Sequence, residues 1–273
     1  MNGTELLSMK DFSEFTGIKQ SALRYYDEIG LICPVQRGEN NYRYYSPQQI
    51  VTINLIQTLT ELDIPLKQIG KMEHCRTPEK IMDMLIEQED LLDSQLRHIR
   101  ECYSIIHTLN RMIHIGCAAK EAELTECELR EFPIIKGPVN DFSNNKLFYE
   151  TFIRFCRDAK KQRINLSYPV GGYFESADIF FESPSQPTCF FSMDPTGQEK
   201  KEAGHYLVAY VRGYYGEMGD SPQRLAAYAK EHALKFTGPL YVIYVLDEIS
   251  VKEPKRYLAQ VSVPVAPEKA YGR

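Results

Sequence analysis

Between residues 78 and 115 the chain repeats itself every seven residues. Leu85, Leu92, Ile99, Ile106 and Ile113 recur at that spacing, and Gln88, Gln95, Cys102 and Leu109 each follow one of the first four by three residues. Two seams at this spacing are the a/d pattern of a coiled coil, here with polar residues in the second seam. Thr77-Pro78 supplies the start of a helix that runs to about Ile115. A helix of this length is not stable alone in water and needs a partner. The repeat therefore predicts a long pairing helix that divides the chain into a head before it and a body after it.

The head reads as short helices. Met9–Thr16 is expected to be helical, with Phe12 and Phe15 facing inward and Gly17 as the turn. Ser21–Ile29 is a second helix, stopped by Gly30, and Cys33-Pro34 carries the chain away. Helix, tight turn, helix is the outline of a helix-turn-helix, whose second helix lies in the DNA major groove with its first residues at base edges. Lys19, Ser21, Arg24, Tyr25 and Tyr26 are the candidate contacts there. Arg24 is suited to guanine or phosphate, and the tyrosine hydroxyls to phosphate. Val35–Ser46 reads as a hairpin turned by Gly-Glu-Asn-Asn. Ser46 and Pro47 then open a helix whose apolar face is Ile50, Ile53, Leu55, Ile56 and Leu59, and Pro65–Lys71 reads as a further short helix.

Taken together, FTGIKQSALRYYDEIGLICP and NNYRYYSPQQIVTINLIQTLTELDIPLKQIG resemble the DNA-binding domain of MerR-family transcription regulators. The resemblance implies a winged helix-turn-helix in which the hairpin lies along the DNA backbone. Carried onto this chain, that role falls to Arg37, Tyr42, Arg43 and Tyr44. It further implies that the long helix is an antiparallel dimerisation coil, and that the homodimer binds double-stranded promoter DNA and works there with RNA polymerase. Family members usually have Gly where this chain has Asp63.

Charge does not point the same way. The 273 residues carry a net charge of −5, and the head's cations are matched by at least as many acids. DNA binding then requires the cations to gather on one face while Asp11, Glu14, Glu61 and Asp63 point elsewhere. No apolar run reaches the length of a membrane helix. The opening MNGTELLSMKDF lacks a basic stretch followed by an apolar one, so a cytoplasmic protein with no membrane partner is expected.

After a linker at Ala118–Thr125 the composition shifts to strands, aromatic residues and Pro/Gly turns. Strands are predicted at Glu126–Ile135, Tyr168–Phe174, Cys189–Met193, Tyr206–Arg212, Tyr241–Leu246 and Tyr257–Val263, and helices at Asn145–Lys161 and Ser221–Lys235, with Ser176–Glu182 left open. Strand, helix, strand, strand occurs twice, which suggests an internal duplication of α+β type. YVRGYYGEMGDSPQRLAAYAKEHALKFTGPLYVIYVLD and RYLAQVSVPV resemble the GyrI-like effector-binding domains joined to many MerR-family proteins. The resemblance implies a pocket for lipophilic aromatic small molecules or drugs. Such a pocket needs aromatic walls and a few polar groups. The candidates are Tyr149, Tyr168, Tyr173, Tyr206, Tyr210, Tyr214 and Tyr244, with Phe174, Tyr241 and Tyr257 as further walls. Where the family's last strand usually carries a Glu, this chain has Gln260, which cannot neutralise a buried cation or act as a general base. A neutral or zwitterionic effector is therefore expected as readily as a cationic one.

Seven cysteines, an odd number, argue against a disulfide framework. His74 and Cys75, with Cys117 and Cys127, lie near the two ends of the long helix, and a metal or redox sensor using Cys75, Cys117 and Cys127 is the alternative reading. No GxSxG, HExxH, P-loop or GxGxxG motif appears, so no catalytic residue, cofactor or metal is assigned. The expected architecture is multidomain: an all-α winged helix-turn-helix head at 5–76, a coiled-coil helix at 77–118 and an α+β GyrI-like domain with duplicated strand-helix-strand-strand units at 119–267.

Overall fold

The computed structural model describes residues 6–61, 64–67, 69–70, 77–121, 123–142, 148–162 and 164–268. The chain forms two compact units, Met1–Arg97 and His98–Arg273.

In the first unit, β1 (Leu7–Ser8) leads into α1 (Met9–Thr16), α2 (Gln20–Glu28), β2 (Gln36–Arg37), β3 (Arg43–Tyr45) and α3 (Gln49–Glu61). Ser8 opens α1 with a reciprocal cap. The Asp11 N–H donates to Ser8 Oγ at 3.2 Å, and the Ser8 N–H donates to Asp11 Oδ2 at 3.3 Å. Asp11 is thus spent on the helix end. Gly17 ends α1 at φ +71°. That left-handed conformation costs glycine nothing. The core stacks Phe12 on Tyr45 at 4.5 Å and adds Leu23, Tyr26, Leu31, Ile53, Ile56 and Leu59. Two expected core residues point outward instead. Phe15 is 69% exposed, while Met9, Phe12 and Thr16 are buried. Those three define the buried arc of α1, and Phe15 lies about 90° round the helix from its centre. Leu55, two residues past Ile53, falls on the opposite side of α3 and is exposed. The hairpin pairs β2 with β3, β1 adds to β3's other edge, and Asn41 takes φ +56° in the turn. The Ser46 N–H donates to Gln49 Oε1 at 3.0 Å at the entry to α3. Of the helix expected at Pro65–Lys71, Leu66–Lys67 and Ile69–Gly70 are helical; Asp63 and Lys71 lie outside the described residues.

Helix α4 (Pro78–Ala118) is 41 residues long. Its exposed apolar stripe includes Leu85, Ile99 and Ile106, but the second line of that stripe is Met82, Leu96 and Tyr103. Of the second seam expected from the repeat, Gln95 is exposed but the other three residues are not lined up with it on the surface. Gln88 is buried, Cys102 is half-buried, and Leu109 lines a cavity described below. Near the helix end Met112, Ile113 and Ile115 join the core of the second unit.

That unit continues with β4 (Thr125–Leu129), β5 (Phe132–Val139), α5 (Phe148–Gln162), β6 (Val170–Phe174), α6 (Ala177–Glu182), β7 (Cys189–Ser192) and β8 (Glu199–Lys201). Then come β9 (Gly204–Arg212), α7 (Ser221–Glu231), β10 (Leu234–Phe236), β11 (Leu240–Leu246) and β12 (Leu258–Pro267). The sheet order is β4-β9-β12-β11-β6-β7-β5-β8, with β10 on β12. Its middle six strands reveal the duplication. β5-α5-β6-β7 and β9-α7-β11-β12 are the two copies, and they meet where β11 pairs antiparallel with β6, Tyr241 opposite Tyr173. The strand expected at Glu126–Ile135 is two strands, broken at Arg130-Glu131 so that β4 pairs with β9 while β5 pairs with β7 and β8. The helix expected to reach Lys235 ends at Glu231, because Ala233 turns left-handed at φ +48° and Leu234–Phe236 pair with β12. The stretch left open, Ser176–Glu182, is α6 behind an N-cap at Ser176.

Strand alternation gives the sheet two different faces. Leu240, Val242, Tyr244, Ala259, Val261 and Val263 belong to one core, with Phe180 of α6 and Leu225 of α7. Tyr241, Ile243, Val245 and Leu258 belong to the other, with the end of α4.

Candidate DNA-binding and ligand-binding sites

On the head, Ser21, Arg24 and Tyr25 are exposed along one side of α2, and Lys19 is exposed at its N-cap. Tyr26 is not with them. It is buried in the head core, one residue round the helix from Tyr25, and does not share their exposed face. The wing residue Tyr42 is exposed, and its ring stands 5.8 Å from that of half-buried Tyr44. The two wing arginines are engaged by one carboxylate. Asp27 of α2, its side chain 4% exposed, accepts the Arg43 Nε–H at 2.5 Å and an Arg37 N–H at 2.7 Å on the same oxygen. Arg37 also donates to Asn41 Oδ1 at 3.2 Å. Arg43 is thereby turned inward as a brace between wing and helix, while Arg37 keeps part of its guanidinium at the surface. Sequence reasoning missed Asp27, because an acid on a helix of a DNA-binding head reads as solvated.

The second unit contains a cavity of about 780 Å³. Phe148, Tyr149 and Phe152 of α5 form one side, and residues 166–172 form another. Residues 214–217, Tyr244, residues 247–249 and Tyr257 close it, with Leu109 of α4 at its edge. Gly171 packs its bare backbone tightly: a Cβ there would come 2.5 Å from the Phe191 ring and 2.7 Å from the Val242 carbonyl oxygen. The rings hold each other in the edge-on and tilted arrangements that aromatic quadrupoles favour. Tyr215 meets Tyr244 at 4.5 Å and Tyr257 at 5.5 Å between ring centroids. Tyr244 Oη donates to the Tyr214 carbonyl at 3.1 Å and accepts the Gly216 N–H at 2.9 Å, which fixes the loop over the cavity.

The charged side chains of this cavity are acids. The Tyr215 hydroxyl donates to Glu248, and Glu217 Oε2 accepts the Tyr214 N–H at 2.8 Å. Asp247 Oδ1 accepts the Ile249 N–H at 3.0 Å, and burial pushes the Asp247 carboxyl above the usual range. Burial likewise pushes the hydroxyls of Tyr215 and Tyr244 up, so both stay protonated donors. Among the described residues that line the cavity there is no Lys, Arg or His.

Of the residues expected at the effector site, Tyr149, Tyr168, Tyr214 and Tyr244 line this cavity, as does Tyr257. Tyr173, Tyr206, Tyr210 and Gln260 do not. They stand on the strands' other side, where Gln260 Nε2 donates to Tyr210 Oη at 3.0 Å and Tyr206 Oη donates to the Glu202 carbonyl at 2.8 Å. Tyr173 there carries the Lys136 ammonium 4.1 Å over its ring. Phe174 and Tyr241 are core residues. Tyr215, Phe148, Phe152 and Phe190 were missed, as were the three acids. The acids of Leu246-Asp247-Glu248 follow directly on β11, but nothing in a single sequence distinguishes a strand-end acid on a cavity from one in solvent. Cys117 is exposed, Cys127 is half-buried, and Cys75 lies outside the described residues. Among the described residues no group of three or more His, Cys, Asp or Glu is placed to hold a metal ion. No helix among them is long and apolar enough to cross a membrane.

Two short helices about a glycine turn, a wing, and a match of residues 7–74 to the profile of the MerR HTH family regulatory proteins define the class. The head is a MerR-type helix-turn-helix, and the chain is a DNA-binding transcription regulator. It is 24% identical over 262 residues to the Multidrug-efflux transporter 2 regulator of Bacillus subtilis, covering 93% of this chain and 94% of that one. Over 69 residues it is 38% identical to the Transcriptional regulator BrlR of Pseudomonas aeruginosa, covering 25% of this chain and 26% of that protein. Among solved structures, the EcmrR–DNA complex aligns with a TM-score of 0.39 and 14% identity, over 96% of this chain and all of that one.

Proposed function

We propose that this regulator senses a planar, lipophilic organic cation in the C-terminal cavity and answers at a promoter. The observation that carries the reading is the composition of the cavity: six tyrosines, three phenylalanines and the acids Glu217, Asp247 and Glu248 around about 780 Å³, with no basic side chain. Aromatic faces attract a cation through their quadrupoles, and a nearby carboxylate neutralises it. The acids at the end of β11 supply the charge that Gln260 lacks, so the effector is cationic rather than equally of any charge.

The regulator acts as a homodimer paired through the exposed stripe of α4, in the cytoplasm, on double-stranded promoter DNA. Residues 5–76 serve as the DNA-binding head, 77–118 as the pairing helix and 119–267 as the effector domain. Lys19, Ser21, Arg24, Tyr25, Arg37, Tyr42 and Tyr44 meet the DNA, with Arg43 holding the wing. By resemblance to its family, the bound dimer distorts a promoter whose elements are spaced too far apart, and RNA polymerase then engages it. The effector's preference for one protein conformation must supply that deformation, on the order of 1–6 kcal/mol for a smooth bend. The similarity to a multidrug-efflux regulator along most of both chains supports an effector of drug type.

The test is a titration with fluorescent aromatic dyes of three kinds, cationic, neutral and zwitterionic, against the wild type and the Asp247→Asn/Glu248→Gln double variant. The chain has no tryptophan to interfere. Micromolar binding of the cationic dyes alone, lost in the double variant, is expected. Equal binding of all three classes, unchanged in the variant, would sink the reading.

A further inference from the structure

The face of the C-terminal sheet opposite this cavity holds a second aromatic cluster, and a cation sits at its centre. Lys201, the last residue of β8, is 1% exposed. Its Nζ donates to Ser262 Oγ at 2.6 Å and lies 4.6 Å from the Tyr206 ring centroid, 5.1 Å from Tyr241 and 5.6 Å from Phe132. Among the described residues no carboxylate pairs with it, and burial pushes its pKa down to about 7.

Rings around one charge, with a single hydroxyl, are the chemistry that recognises quaternary ammonium groups. A primary ammonium is a poor guest in such a place. It has three N–H donors, and here one finds an acceptor. It is strongly hydrated, so burial costs it more than the rings return. A quaternary ammonium has no N–H to satisfy. The strand that delivers Lys201 is also weakly held: β8 is three residues at the sheet edge, paired with Phe132–Ile134 alone. Besides the Lys201–Ser262 bond, its side-chain ties are the Lys200–Glu131 and Lys136–Glu199 pairs at 2.9 and 2.6 Å. Both pairs reach the surface, where ion pairs hold little.

We propose that Phe132, Tyr206, Tyr241 and Ser262 form a second ligand site, one for a small quaternary ammonium, which the chain fills with its own Lys201 and which opens when β8 lifts from the sheet edge. The site is separate from the 780 Å³ cavity and does not depend on what that cavity binds.

Choline is the probe, and 3,3-dimethylbutanol, its uncharged isostere, is the control, both titrated by calorimetry into the full chain. Lys201→Ala is expected to bind choline at least tenfold more tightly than the wild type does, and to show no such gain for the alcohol. Adding Tyr241→Leu should remove the gain, while adding Glu248→Gln in the other cavity should leave it intact. No gain, or an equal gain for both compounds, overturns the proposal, since the variant would then hold either no site or a plain apolar hole. A second measurement needs no variant. In the wild type, saturating choline should raise severalfold the acetylation of Lys201 by an added acetyl N-hydroxysuccinimide ester, which transfers its acetyl group to the amine and releases N-hydroxysuccinimide, read by mass spectrometry, and 3,3-dimethylbutanol should not. Lys201 acetylation unmoved by choline overturns the proposal as well.

Discussion

Arg43 on the wing donates its Nε–H to Asp27 on the recognition helix at 2.5 Å. This bond ties the wing to α2, and Arg37 adds a second N–H to the same oxygen. Asp27→Asn removes the charge that gathers both arginines. Hydrogen bonds to charged groups are worth about 1.5–3 kcal/mol each, less for the surface-reaching Arg37. The head should lose about 2 kcal/mol in urea unfolding. Affinity for a promoter fragment should fall about tenfold, since a wing free to swing pays to be placed. Unchanged affinity with lowered stability would confine Asp27 to folding.

Arg24 is exposed on α2 and has no intramolecular partner among those described, so its guanidinium is free for DNA. Arg24→Ala should weaken promoter binding by about 1–3 kcal/mol if it reads a base. If it grips phosphate, the slope of log K against log salt should flatten by about one. Binding measured at several salt concentrations separates the two, and no change in either quantity removes Arg24 from the interface.

Tyr244→Phe deletes the hydroxyl that joins the Gly216 N–H to the Tyr214 carbonyl. The ring and its packing on Tyr215 remain. A buried N–H left without a partner costs about 1–3 kcal/mol. The second unit should therefore unfold at lower denaturant. Dye affinity should fall because the loop at 214–217 is no longer held over the cavity.

Lys201 gives the second unit a pH dependence of defined sign. Its folded pKa, about 7, lies below the ordinary 10.5. Between those values the folded chain binds fewer protons than the unfolded one, so this residue's contribution to stability rises with pH. The penalty for burying the charge is complete below about pH 7 and gone above about 10.5. Lys201→Met carries no such penalty. The stability advantage of that variant over the wild type should be largest near pH 6 and shrink by about 3–5 kcal/mol towards pH 10. Parallel stability curves across that range would show that the amine is not buried as described.

Gly171→Ala places a methyl against the Phe191 ring and the Val242 carbonyl. It should destabilise the second unit by about 1–3 kcal/mol, the usual cost of overpacking. Thermal unfolding of the variant reads this directly, and an unchanged melting temperature would mean that β6 and β7 separate freely.

What the sequence determined by itself was whatever is local. Gly17 and Asn41 are where the backbone turns left-handed, Ser46 and Pro47 lead into α3, and the period-seven repeat becomes one long helix. Alternation along β9 and β11 correctly separated Tyr244 from Tyr241 and put Tyr206 and Tyr210 on one face. It could not say which face holds the cavity, because both faces of this sheet are lined with aromatic residues, and composition is blind to which of them a helix leaves uncovered. Only the tertiary structure decided that. It set Tyr206 beside the buried Lys201, Tyr173 under the Lys136 ammonium and Tyr210 on Gln260, and it brought Glu217 and the Asp247-Glu248 pair, about thirty residues apart in the chain, to one aromatic wall. It also turned Arg43 towards Asp27, sixteen residues earlier. Charge pairing across such separations depends on how elements pack, and a pattern of neighbours along the chain does not record it.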